Sequence, residues 1–160
     1  MKNFLNTVSD SSLILILDSI FDPQNFGSIL RASECMGADA VIYSKNRGSS
    51  LTPSAAKASS GASELIPLIE VSNLAETVRK LKKNDYSVIT AEIKKEAKDI
   101  RHFSFPKKTA LIMGSEGKGV QPLLSKMADC SVYIPMFGKI DSLNVMQAAV
   151  VFLAKYRLFY

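Results

Sequence analysis

The chain has 160 residues, 47% of them hydrophobic, and 20 Lys and Arg against 15 Asp and Glu, a formal charge of +5. That length fits one compact domain, residues 1–160, burying about 70% of its unfolded surface, and the basic balance favours a polyanionic partner such as RNA. Two distant cysteines without CxxC spacing and a single histidine argue against a disulfide framework or a zinc site, and neither the opening MKNFLNTVSDSS nor the short run LILIL fits a signal peptide or a membrane span. The expectation is a cytoplasmic protein with no metal and no membrane attachment.

In chain order, the first strand is predicted at 13–17 (LILIL), then the polar loop DPQNFGSILR at 22–31 and a helix over 28–36. A second strand at 40–43 (AVIY) precedes a helix over 55–62. Pro53 after Thr52 fits a first helical residue there, and SSGAS at 59–63 has loop-like composition that interrupts the helix. Asn73 followed three residues later by Glu76 resembles a capping box and opens a helix over 74–83 with Leu74, Val78 and Leu81 as its apolar stripe. Strands at 87–90 (SVIT), 110–113 (ALIM) and 132–136 (VYIPM) follow, with helices over 120–127 and 145–158.

The strands are continuously apolar rather than alternating, as expected where both faces are covered, and strand alternates with helix. This predicts an α/β fold, a mostly parallel sheet with helices on both faces. The last helix has almost no polar face, and its aromatic end, Phe159 and Tyr160, predicts a homodimer that covers it.

Three polar, Gly-containing loops fall at strand ends: 22–31, GSEGKG at 114–119, and 138–144. In a parallel sheet they share one edge, where ligands bind, and together they form one pocket. In the first loop Asn25 and Gly27 are expected to precede the helix, with Arg31 one turn inside, a placement that favours an anion; a plain N-cap and a solvated arginine are equally well supported by that motif alone. GSEGKG departs from a P-loop, having Ile112 where a glycine is required and Gly119 where Ser or Thr belongs. Glu116 is a candidate to orient Arg31 by a charge-assisted pair, against an ordinary glycine-rich turn. His102 is remote from every strand end, and no GxGxxG, HExxH or carboxylate cluster occurs.

Taken together, the loops resemble the three motifs of the SpoU (TrmH-type) branch of the SPOUT RNA methyltransferases, over nearly the whole chain. Asn25, Gly27 and Arg31 resemble the first; Gly114, Ser115, Glu116, Gly117 and Gly119 the second; Ile134, Pro135, Met136, Gly138, Ser142, Leu143, Asn144 and Val145 the third. The resemblance implies a C-terminal deep trefoil knot, which patterning does not show and which is otherwise very rare. It implies S-adenosyl-L-methionine as cofactor, held around Gly114, Ile134, Met136 and Leu143, and homodimers with sites near the subunit boundary.

The implied reaction methylates a ribose 2′-hydroxyl of RNA. Arg31 matches the family's catalytic position, and Asn25, Glu116, Ser142 and Asn144 match its positioning partners. An arginine, ordinarily protonated at neutral pH, is an awkward general base, so stabilisation of the developing alkoxide ranks first and proton acceptance is the family's alternative. Met146 departs from a small serine common in relatives, which bears on local packing. Many relatives carry a small N-terminal RNA-binding domain, and here only a dozen residues precede the first strand, so the expectation is either a catalytic domain cut from a longer protein or basic positions such as Lys45, Arg47, Lys57 and Lys118 engaging RNA unaided. The segment from Arg47 to Val71 looks most like the branch that methylates guanosine ribose in 23S-type rRNA, with tRNA the alternative. A catalytically idle RNA-binding dimer would not need the five polar motif residues together, and a phosphotransferase is opposed by the broken P-loop.

Overall fold

The computed structural model describes residues 10–160; residues 1–9, most of the segment read as lacking a signal-peptide core, lie outside them. A seven-stranded sheet is built from β1 (Ser12–Asp18), β2 (Ala40–Ser44), β3 (Leu68–Val71), β4 (Ser87–Ala91), β5 (Lys98–Asp99), β6 (Lys108–Gly114) and β7 (Cys130–Tyr133). The helices are α1 (Pro23–Cys35), α2 (Pro53–Ala58), α3 (Ala62–Leu65), α4 (Leu74–Lys82), α5 (Pro122–Met127) and α6 (Val145–Arg157), with a 3₁₀ turn at Ile100–His102.

Strand order is β3-β2-β1-β6-β4-β7-β5, and every pairing is parallel. The two faces explain the unbroken apolar runs. Leu13, Leu15 and Leu17 of β1 enter one core with residues of α1 and α6, whereas Ile14 and Ile16 enter a second core with residues of α4 and α5. Successive strand side chains point to opposite faces, so a strand covered twice has no polar side to show.

Several boundaries differ from the sequence expectation. The first helix begins at Pro23, not Ser28: Asp22 is its N-cap, accepting from the Gln24 and Asn25 N–H groups, with Pro23 at the first helical position. The helix expected over 55–62 is two pieces, parted where Ser60 and Gly61 take positive φ. The last strand stops at Tyr133, leaving Ile134, Pro135 and Met136 in the following loop. β3 and β5, absent from the sequence reading, are short edge strands in which no residue is fully buried.

The terminal helix is better covered within one chain than its composition predicts. Val145, Ala149, Phe152, Leu153 and Tyr156 are buried, and Tyr160 folds back to donate its hydroxyl to the Phe105 carbonyl at 3.0 Å. Phe159 and Tyr160 nonetheless stay exposed, at 45% and 39%, and Leu158 projects at 78%. Both cysteines are free thiols.

Candidate active site

Because the strands run parallel, the segments following β1, β4, β6 and β7 emerge at one sheet edge, and the candidate site is assembled there. Asn25 sits in the first turn of α1, its N–H donating to the Asp22 cap at 3.3 Å. Gly27 is not a loop glycine: it lies inside α1, and a Cβ there would overlap the Ala55 carbonyl and crowd Ala58. Its missing side chain lets α2 press against α1.

The β6 loop is cinched by a bond from the Gly119 N–H to the Ser115 carbonyl at 2.8 Å, with Gly119 at φ +65°, a conformation L side chains rarely adopt. This turn presents Glu116. One carboxylate oxygen, Oε1, accepts from Asn144 Nδ2 at 2.6 Å, from Asn25 Nδ2 at 3.4 Å and from the Val145 N–H at 3.4 Å. Asn144 Nδ2 also reaches Asn25 Oδ1 at 3.1 Å. One residue from each of the three loops thus meets in a single network.

Asn144 is at the same time the N-cap of α6. Its Oδ1 accepts the Met146 N–H at 2.8 Å, and Gln147 reaches back to the Asn144 N–H at 3.1 Å, completing a capping box. The helix cap and the contact between loops are carried by opposite ends of one amide.

Beside this network lies a cavity of about 680 Å³, within the range of small-molecule sites. Gly114, Ile134, Met136 and Leu143, the four positions matched to cofactor binding, all line it, as do Glu116 and Ser142. Ser142 stands apart from the network, its hydroxyl donating to Asp141 at 3.2 Å. Apolar Val120, Val132 and Phe152 form other parts of the wall.

Arg31 is placed differently from the expectation. It lies in the third turn of α1 and is exposed, and its guanidinium donates to Ser60 Oγ at 3.3 Å. Among the described residues it makes no ion pair with Glu116. Six residues of helix carry it about 9 Å along the axis and about 120° round from Asn25, toward the α2–α3 turn. Glu116 is oriented by amides, not by the guanidinium.

Sequence reasoning missed two further features of this edge. Asp18, fully buried at the end of β1, accepts the Gln121 N–H at 2.7 Å and the Gln121 side-chain amide, and Gln121 Oε1 in turn accepts from Arg47 at 2.6 Å, which fixes the start of α5. Glu92, the residue after β4, also lines the cavity. Burial would raise its pKa, but hydrogen bonds from Lys94, Ser125, Ser131 and Thr90 overcome that and hold it at about 2. A carboxylate directly after SVITA was the available signal; its serine partners are 33 and 39 residues away.

Among the described residues no group of three or more His, Cys, Asp or Glu is placed to hold a metal, and no helix is long and apolar enough to cross a membrane.

Comparison with known proteins agrees with this architecture. The chain is 38% identical over 157 residues to the 23S rRNA (guanosine-2′-O-)-methyltransferase RlmB of Neisseria meningitidis serogroup B, covering 98% of this chain and 62% of that one. A TrmH family protein of Staphylococcus aureus (strain MSSA476) is 44% identical over 138 residues, 86% of this chain and 55% of that one. The chain therefore spans little more than half the length of these curated relatives. An AdoMet-bound rRNA methyltransferase structure from Sinorhizobium meliloti superposes with a TM-score of 0.86 at 25% identity, covering 96% of this chain and 59% of that one. The SpoU methyltransferase AviRb of Streptomyces viridochromogenes, in complex with AdoMet, shares the fold with a TM-score of 0.86 at 24% identity, covering 94% and 61%. Residues 12–154 match the SpoU rRNA Methylase family, and with a match of that extent the chain belongs to it.

Proposed function

We propose that this chain is the catalytic domain of an RNA methyltransferase that moves a methyl group from S-adenosylmethionine to a ribose 2′-hydroxyl, in large-subunit ribosomal RNA by preference and in transfer RNA as the second reading. The observation that carries this is the meeting of Asn25, Glu116 and Asn144 at the rim of the cavity beside Gly114, Ile134, Met136 and Leu143. The rRNA preference rests on the Neisseria relative; for the Staphylococcus relative both tRNA and rRNA are named.

The donor set fits the cofactor. Apolar Ile134, Met136 and Leu143 suit an adenine face, backbone along the 114–119 turn offers polar contacts at close range, and the carboxylates of Glu116 and Asp141 suit a cationic ligand. When bound, S-adenosylmethionine supplies an electrophilic methyl on sulfonium. The remaining work belongs to the chain's own groups. Glu116 holds the Asn25 and Asn144 amides in fixed directions, so the rim they form is ordered before RNA arrives. Arg31, exposed and held among the described residues by Ser60, is free to swing its guanidinium onto the RNA phosphate and the 2′-oxygen, where it favours the anionic form of a weak nucleophile. Ser142, on the cavity wall, positions the cofactor or the phosphate.

The same reading includes a knotted C-terminal path, supported by a cavity walled jointly by the 114–119 turn and the segment at 134–143. Stretching single chains from both ends tests it: a tightened knot leaves the unfolded length short, and a full-length contour would exclude one. It includes a cytoplasmic homodimer, the dimer supported by exposed Val151 of α6 and Leu158 at the helix end. A solution mass of one 17.5 kDa chain at working concentration would sink the dimer.

Transfer of labelled methyl from S-adenosylmethionine to RNA, with the modified group mapped to a ribose 2′-oxygen, tests the activity. Arg31→Ala is expected to abolish transfer and spare cofactor binding; transfer at the wild-type rate would overturn the role given to Arg31.

A further inference from the structure

Two kinds of carboxylate line the cavity, and they differ in charge balance. Among the described residues neither Glu116 nor Asp141 has a cation within ion-pair distance. Glu92 does: Lys94 Nζ lies 2.8 Å from its Oε1. The same oxygen accepts from Ser125 Oγ at 2.5 Å, Thr90 Oγ1 at 2.8 Å and Ser131 Oγ at 2.9 Å, and the side chain is only 15% exposed. Thr90 and Ser131 are themselves buried and 2.6 Å apart. This is a carboxylate locked in one direction with its charge offset, whose second oxygen takes part in none of these bonds. Such a group is a directed acceptor for a neutral donor rather than a counter-charge for a cation.

Its place on the sheet edge says which donor. β4 lies between β6 and β7, so Glu92 stands between the 114–119 turn, with Glu116, and the apolar segment holding Ile134 and Met136. Strands are about 4.8 Å apart, so these three stations are spread across one small-molecule length. In an adenosyl sulfonium the ribose is likewise the middle part, between a flat apolar base and a cationic end. An acidic side chain at the carboxyl end of a parallel strand is a known solution for holding a ribose diol.

We propose that Glu92 Oε2 accepts hydrogen bonds from the ribose hydroxyls of the adenosyl cofactor, making Glu92 a binding residue that fixes the cofactor's register and so the position of its reactive end. This rests on the cofactor reading given above. Lys94, Ser125, Ser131 and Thr90 act through Glu92 as positioning residues.

The test is calorimetric titration of the full chain with S-adenosylhomocysteine and with its 2′,3′-dideoxyribose analogue. Wild type is expected to bind the analogue roughly ten- to hundredfold more weakly. Glu92→Gln, and Glu92→Asp, which keeps the charge one methylene short, are expected to bind both ligands with the same reduced affinity, thermal unfolding confirming that each variant is folded. A wild type indifferent to the two hydroxyls overturns the proposal whatever the variants do. So do folded variants that keep the full wild-type discrimination, and in that case the cofactor reading stands. Wild type that binds neither ligand overturns both.

Discussion

Asn144 Nδ2 donates to Glu116 Oε1 at 2.6 Å while Asn144 Oδ1 accepts the Met146 N–H, so one amide ties the start of α6 to the β6 turn. Asn144→Asp keeps an acceptor for the cap but sets two carboxylates against each other. The expected result is a loss of about 1–2 kcal/mol in denaturant unfolding and at least a roughly tenfold fall in methyl transfer. Adding Glu116→Gln restores a donor to the pair, so the double variant should recover most of the stability. No recovery would show that the pair does not couple these loops.

Gly27→Ala gains helix propensity, about 1 kcal/mol, yet its Cβ overlaps the Ala55 carbonyl, which is backbone and does not yield as a flexible side chain would. Over-packing of this kind typically costs about 1–3 kcal/mol. The net change is expected to be destabilising, with a lowered Tm in calorimetry. A raised Tm would mean that α1 and α2 separate freely.

Glu92 predicts a specific acid limb. Its carboxyl is held at about 2 in the folded protein, below the ordinary value of 4.5, so the stability it contributes is fully present above about pH 4.5. That contribution is lost as pH falls toward 2. The difference in unfolding free energy between wild type and Glu92→Gln, on the order of 1–3 kcal/mol near neutral pH, should therefore shrink between about pH 4.5 and 2 in urea titrations. A difference constant across that window would sink the assignment.

Arg157 closes the far end of α1. Its Nε donates to the Met36 carbonyl at 2.5 Å and an Nη to the Gly37 carbonyl, satisfying two backbone oxygens just past the helix end. Arg157→Ala should lower stability by about 1–2 kcal/mol, and Arg157→Lys should recover less than half, because a point charge does not reproduce the planar fork. Full rescue by lysine in thermal unfolding would reduce the role to charge alone.

Much of the fold was legible in the chain. The unbroken apolar runs LILIL, AVIY and ALIM read correctly as strands covered on both faces, and the polar loops after them as one edge, because in a parallel sheet strand direction alone gathers the carboxyl ends. The family match carried the rest of the expectation, with Asn25, Glu116 and Asn144 brought into one network as three ordered motifs imply. The start of α1 was misplaced although Asp22–Pro23 is a regular cap and first-turn pair, since the glycine at 27 was read as a loop residue.

Hydrophobic pattern and turn chemistry along the chain therefore set the layering, the strand direction and which loops share an edge. Tertiary structure decided which partners those loops take. Gly27 is a packing glycine because α2 crosses it, Arg31 turns to Ser60 and not to Glu116, and Tyr160 folds back onto Phe105 instead of leaving the whole aromatic tail for another subunit. Glu92 is held in one direction because Ser125 and Ser131, from distant parts of the chain, join the nearby Lys94 and Thr90 on one carboxylate oxygen. Hydrogen-bond direction and close approach depend on ångström distances between remote segments, and no spacing along one chain encodes them.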